Sequence, residues 1–380
     1  MLSDNTPDLS YRRLSTKGRS LSIDRAFPQR RIAILSDAAS QQFAPLLRAL
    51  FYENGVCAEI YEGAFDAAEL EAFNPHSELY RFRPDTILLA SSIQALRALY
   101  FQNPNSDFLR QSIEKHQKIW TTLRVHTDAH IIQFNYAMPY ERFFGNYDLL
   151  VPDSLYSIVG KLNAHMADAA RQNASLTLCD IDAISSGIGR ASWFDDRLWN
   201  MTKAFCRLEY LPIVCQNIVE TVMTLMGRVT KCLVLDLDNT LWGGIVGDQG
   251  HLGVDIGAHG DGEAFFRFQQ YLLALKKRGI LLAVCSKNDL ANALKPFSDN
   301  PDLVLRRDDI TVFVADMMNL AHDRGQLLVI VAQLSQHVLR FDIFGVVIED
   351  ALLARDMSDR AYRRPPQLAC PLGDRVGHRE

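Results

Sequence analysis

Short apolar runs recur along this chain, separated by longer stretches with helical patterning. RIAIL at 31–35, bounded by the turn-forming pair Ser36-Asp37, reads as a buried strand. FAPLLRALFYENG has the apolar spacing of a helix and a glycine suited to its end, and CAEIY at 57–61 reads as the next strand. DTILLA at 85–90, HIIQF at 130–134 and SLTLCD at 175–180 continue the theme. These runs are apolar throughout rather than alternating, so they predict strands covered on both faces. That is the signature of a parallel, doubly wound sheet, whose right-handed crossovers gather the loops at the carboxyl ends of the strands.

A second alternating unit begins abruptly at KCLVLDLDNT, residues 231–240. The predicted fold class is therefore α/β, with two Rossmann-like three-layer domains. Residues 1–28 are polar and weakly periodic and are expected to be flexible, and the first domain is expected to span 29–185. Residues 186–229 combine the aromatics Trp193, Phe194 and Trp199 with a long helical pattern and read as an interdomain helical linker. The second domain is expected over 230–360, followed by a loose tail at 361–380 that is rich in proline and charge.

Composition narrows the classes of function. A chain of 380 residues, 48% hydrophobic, has enough apolar material for more than one core. The formal net charge of -5, with acids and bases intermixed, gives no broad positive field for nucleic acid or an anionic membrane. No apolar stretch is long enough to span a bilayer, and the first residues do not resemble a secretory signal. The 7 cysteines are scattered without metal-site or disulfide-framework spacing, which suits a reducing cytoplasm.

The candidate chemistry sits where apolar runs end. CLVL at 232–235 leads directly into DLDNTLWGG, so Asp236 and Asp238, one residue apart, project near a strand end toward the same side. Two such carboxylates suit magnesium-dependent phosphoryl transfer, with Asp236 as nucleophile and Asp238 as acid and base. GILLAVCSKN at 279–288 ends in Ser286, which can hold a phosphoryl oxygen, and Lys287 or Asn288 is expected to fix the loop or contact the same anion, with Lys287 as the second phosphate-binding residue. FGVVI at 344–348 ends in Glu349-Asp350, which supply further acidic ligands, so the expected metal set is Asp236, Asp238, Asp350 and Glu349. Cys285 is the cysteine best placed for a transient acyl thioester, although alternation along AVCS points it away from Ser286.

At this level of detail the chain resembles the FkbH-like proteins of the haloacid dehalogenase superfamily, subfamily IIIC type. The resemblance is carried by DLDNTLWGGIVGDQG at 236–250, GEAFFRFQQYLLALKKRGILLAVCSKND at 262–289 and PDLVLRRDDITVFVA at 301–315. Upstream, EIYEGAFDAAELEAFNPHSELYRFRPDTILLA at 59–90 and GRASWFDDRLWNMTKAF at 189–205 extend it into the first domain. The resemblance implies an amino-terminal domain similar to the SGNH-hydrolase fold, followed by a haloacid dehalogenase domain that uses Mg2+. It further implies that a glyceryl unit is taken from 1,3-bisphosphoglycerate and delivered to the phosphopantetheine thiol of an acyl carrier protein for polyketide or related biosynthesis.

The chain departs from the family pattern after residue 315. Asp316 and Met317 stand where the family carries an Asn-Trp pair, and Leu320 lies near the place of a lysine that would offset crowded negative charge. IEDALLAR replaces a pattern near DDNPAER. In the first domain LSDAAS at 35–40 stands where an SGNH enzyme presents GDS, leaving Ser40 as a poor nucleophile and making the domain a docking platform. Two alternatives stay open from the sequence: a phosphatase acting on another small phosphorylated metabolite, and an impaired scaffold that only binds a carrier.

Overall fold

The computed structural model describes residues 9–22, 26–102, 107–315 and 347–348 of the chain. It divides into two compact units, Met1–Met226 and Gly227–Glu380.

The first unit is built on strands β1 (Gln29–Ser36), β2 (Cys57–Glu62), β3 (Thr86–Ala90), β4 (His130–Phe134) and β5 (Leu176–Cys179). All pair in parallel in the order β2-β1-β3-β4-β5. The apolar runs are continuous because each face of the sheet meets its own core. Ile32, Ile34, Leu88, Ile132 and Phe134 pack on one side with the helices Phe43–Glu53 and Leu211–Leu225. Ala33, Leu35, Ile87, Leu89 and Ile131 pack on the other with Phe108–His126 and Leu155–Gln172. Period-2 alternation thus divides one run between two cores.

Two expected boundaries move. Residues 186–226 do not link the units; they belong to the first, where Trp193, Phe205, Val214, Ile218 and Val222 are buried in its core. Residues 11–20, expected to be flexible, form a helix whose Leu14 is fully buried. A Cβ on Gly18 would lie 1.7 Å from the carbonyl oxygen of Pro45, so only glycine allows this approach to the helix Phe43–Glu53. Arg13 and Lys17 both bind Glu53 there, at 2.6 and 2.8 Å. A short, mostly polar segment is ordered by a neighbour that the local sequence does not reveal.

The second unit contains β6 (Cys232–Leu235), β7 (Leu281–Cys285), β8 (Val312–Val314) and β9 (Val347–Ile348), parallel and in the order β8-β7-β6-β9. Leu235, Leu282 and Val284 face a core completed by Trp242, Phe268, Leu272 and Phe297. The chain proceeds outward from β6 through β7 to β8 and returns on the far side of β6. That reversal puts the switch point of the strand order at β6, and open α/β sheets place their ligands at the carboxyl ends of the strands there. No helix among the described residues is long and apolar enough to cross a membrane.

Candidate active site

Asp236 is the first residue beyond β6, and Asp238 lies two residues further on. Both are half-buried. The loop that carries them is closed by its own hydrogen bonds. Gly244 donates to Asn239 Oδ1 at 2.9 Å, and Gly243 and Asp255 exchange main-chain bonds at 2.9 and 2.8 Å. Asn239 and Gly244 both have positive φ, 55° and 87°, which asparagine and glycine tolerate best. DLDNTLWGG is therefore a folded turn with a fixed shape.

Asp238 is held from three directions. Its Oδ1 accepts from Trp242 Nε1 at 2.9 Å and from the Val246 main-chain N–H at 3.1 Å, while Oδ2 accepts from Asn288 Nδ2 at 2.8 Å. Trp242 is fully buried, so its indole is a fixed donor. Asp236 Oδ1 accepts from the Leu237 N–H at 2.7 Å. Thr240, in the same turn, is buried, and its hydroxyl has no hydrogen-bond partner among the described residues.

β7 brings the second motif alongside. Leu235 pairs with Val284, so Asp236 and Cys285 leave their strands side by side. Ser286 is buried, donates its main-chain N–H to Val314 at 2.9 Å and accepts from the Asn288 N–H at 3.3 Å. Lys287 is exposed. Burial first, and then the charge of Asp236, push the Cys285 thiol up, so a resting thiolate is disfavoured there.

β9 pairs in parallel with β6, Leu235 opposite Ile348, so these strands end at the same level. Glu349, Asp350, Asp316, Met317 and Leu320 lie outside the described residues. Among the described residues no group of three or more His, Cys, Asp or Glu is gathered as a metal site.

The structure thus joins Asp238 to the SKN segment and sets Asp236 beside Cys285. Asn288 and Trp242 are the site residues that sequence reasoning undervalued. Asn288 was one of two candidates for fixing the loop or touching an anion, and Trp242 read only as part of a motif. A tryptophan four residues beyond an acid in a turn, and a polar residue two beyond the strand-end serine, are the signals that were available.

In the first unit the reversal of strand order falls between β1 and β3, and the side chains there bind one another. Ser36 Oγ donates to the Ala90 carbonyl at 3.0 Å, and Asp37 Oδ1 accepts from the Ser92 N–H at 2.8 Å. Burial pushes Asp37 up to about 7, only partly opposed by the Ser92 hydrogen bonds. Ser40 is buried and donates to Glu62 at 3.0 Å. His116 is buried elsewhere, against the Ser112 carbonyl and the Tyr136 hydroxyl.

These features define a chain of two parallel-sheet α/β units, the second a haloacid dehalogenase-type domain with its acidic turn at the carboxyl end of a central strand. The chain belongs to the FkbH, N-terminal domain family, whose model matches residues 31–223. Among solved structures it is similar to the N-terminal part of the protein BF1531 from Bacteroides fragilis, which contains a phosphatase domain and was crystallised in complex with Mg. The two share 28% identity and a TM-score of 0.80 over 92% of this chain and 91% of that one. A second likeness is to the C-terminal catalytic domain of the Streptococcus pneumoniae peptidoglycan O-acetyltransferase A, 14% identical with a TM-score of 0.31 over 53% of this chain and 95% of that one. A third is to a GDSL-like lipase from Bacteroides thetaiotaomicron, 9% identical with a TM-score of 0.34 over 56% and 98%. At those scores neither carries an argument about fold or activity. No curated protein matches the sequence.

Proposed function

We propose that the second unit performs magnesium-dependent phosphoryl transfer and uses it to load a glyceryl unit from 1,3-bisphosphoglycerate onto an acyl carrier protein, for polyketide or related assembly. The observation that carries this reading is the Asp236-Leu237-Asp238 turn at the end of β6, locked to the Ser286-Lys287-Asn288 segment at the end of β7. The magnesium-bound phosphatase domain of the Bacteroides protein supports the choice of ion.

The available donors are carboxylate and other oxygens, the set a hard cation prefers. Asp236 would hold magnesium together with Asp350 and Glu349, and the ion would offset the repulsion between a carboxylate and phosphoryl oxygens. Asp238, whose carboxylate is oriented by Trp242, Val246 and Asn288, would complete that acidic set and serve as acid and base.

In the first half-reaction an Asp236 carboxylate oxygen bonds to phosphorus, the bond from phosphorus to the leaving oxygen breaks, and Asp238 gives that oxygen a proton. In the second, Asp238 takes a proton from water, the water oxygen bonds to phosphorus, and the Asp236–phosphorus bond breaks to release inorganic phosphate. Ser286 would donate its hydroxyl to a phosphoryl oxygen, and Lys287 would add a positive charge at the rim. This hydrolysis would fall on the ester phosphate and leave the acyl phosphate intact. The carrier's thiol then attacks the acyl carbon, its proton is lost as the carbon–sulfur bond forms, and the carbon–oxygen bond to the second phosphate breaks to release it. The raised Cys285 thiol favours this direct delivery over a covalent relay through Cys285.

The first unit, read as SGNH-hydrolase-like, serves as the carrier platform rather than as a second hydrolase. Ser40 is hydrogen-bonded to Glu62, and among the described residues no histidine bonds to it. The described cysteines are free thiols, in keeping with a reducing cytoplasm.

The test is to incubate the chain with magnesium, 1,3-bisphosphoglycerate and phosphopantetheinylated carrier, following phosphate release and the intact mass of the carrier. A glyceryl mass gain that disappears in Asp236→Asn is expected. Failure to load any plausible carrier, while a positive-control enzyme loads them, sinks the transfer reading. Phosphate release without loading would leave a metabolite phosphatase, and binding without either would leave a scaffold.

A further inference from the structure

The loop after β4 presents an unusual surface. In PYERFFGNYDLL, residues 139–150, the side chains of Tyr140, Phe143, Phe144, Tyr147, Leu149 and Leu150 are each 52–69% exposed. The loop is nonetheless well tied down from beneath. Asp148, almost fully buried, binds Arg142 at 3.2 Å, and its carbonyl accepts from the hydroxyls of Ser154 and Ser157 at 2.7 and 3.0 Å. Arg142 also lies over the Tyr156 ring at 3.9 Å. Phe143 meets Phe101 edge-on at 5.3 Å, which joins the loop to the exposed end of the helix Ile93–Gln102, where Leu99 is also open to solvent.

We propose that this face is the contact between two copies of the chain. An aromatic side chain offers about 150–250 Å², so at these exposures the five aromatics and three leucines show on the order of 800 Å² of largely apolar surface. That exceeds the roughly 300–600 Å² of the largest apolar patch on an ordinary monomer. It matches the roughly 800 Å² that each partner contributes to a standard protein interface.

The charges on the face select the partner. Arg97 is bound to Glu141 at 2.6 Å and Arg142 to Asp148, so the patch carries no unpaired charge of one sign among these residues. An acidic or basic partner would find nothing complementary, whereas an apolar, electrically balanced face is complementary to itself. A two-fold axis through the loop would place the same rings against each other, and interfaces between identical subunits are the more apolar class. The anchoring through Asp148 means that little loop ordering opposes association.

The test uses sedimentation velocity on the full chain from low to high micromolar concentration. A mass twice that of the chain is expected, and the pair Phe143→Ser with Phe144→Ser should raise the dimer dissociation constant by on the order of 100-fold. Because both rings are more than half exposed, the pair should keep the melting temperature of the parent when both are compared well below the dimer dissociation constant, where each is a monomer. Hydrogen exchange at 139–150 should slow with rising concentration in the parent only. A parent that stays monomeric at high micromolar concentration overturns the proposal, and so does a dimer unaffected by the pair. Loop-dependent binding to phosphatidylcholine vesicles by a chain that does not self-associate would assign the face to a membrane surface, and would equally overturn it.

Discussion

Gln269 offers the sharpest test of how the candidate site is supported. It sits on the helix Gly262–Lys277, fully buried, with every polar atom of its carboxamide engaged in main-chain bonds. Its Nε2 donates to the Leu241 carbonyl at 2.7 Å, and its Oε1 accepts from the N–H groups of Val304 and Leu305 at 2.9 and 3.0 Å. The residue thus staples the turn that carries Asp238 to the segment leading into β8. Gln269→Leu fills nearly the same volume but strands one carbonyl and two N–H groups in the core. Each unpaired buried group costs about 1–3 kcal/mol, so the loss should be about 3–6 kcal/mol after partial relaxation. That is a large share of the roughly 5–15 kcal/mol that stabilises a typical domain. Urea unfolding followed by hydrogen exchange of peptides from residues 232–315 would isolate the second unit. We expect an early transition there and unchanged exchange in the first unit. A loss under about 1 kcal/mol would refute the idea that this amide holds the turn in place.

Further outcomes follow from individual contacts. Asn288→Ala removes a charge-assisted bond to Asp238 worth about 1.5–3 kcal/mol, so phosphate release should fall about 10- to 100-fold in kcat with little change in KM. Asp37 is raised to about 7, well above its unfolded value, so its neutral form favours the fold, and stability declines as pH climbs through the window up to that value. Asp37→Asn keeps an acceptor for Ser92 without the charge, and its stability advantage over the parent should grow by about 2–3 kcal/mol between pH 5 and pH 8 in thermal melts. A gap that does not vary with pH would contradict this. Gly244→Ala, at φ 87° and with its Cβ 1.8 Å from Gln249 Oε1, should destabilise the second unit by about 1–3 kcal/mol in the same urea experiment. Chelation by EDTA should stop phosphate release, and added magnesium should restore it.

Much of the fold was written locally. The runs at 31–35, 57–61, 85–90, 130–134, 175–180, 232–235 and 279–288 all contain strands, because a strand covered on both faces needs uninterrupted apolar side chains. The helix reading of FAPLLRALFYENG also matches, at Phe43–Glu53. Asp236, Asp238 and Ser286 were legible as strand-end residues because the end of an apolar run is visible in one dimension. Their pairing across neighbouring strands required the sheet order.

Tertiary structure alone decided the rest. Trp193 and the helix Leu211–Leu225 carry apolar faces that would suit a linker or a core, and only packing against Ile32, Ile34 and Phe134 assigns them to the first unit. The helix at 11–20 is too short to be stable alone and depends on the cleft that Gly18 fits. Asn288 could have faced an anion or a neighbouring side chain, and its bond to Asp238 exists because β6 and β7 are adjacent. Periodicity records how each segment divides its apolar and polar faces, whereas contacts between segments depend on which faces meet, and that is settled only when the whole chain condenses.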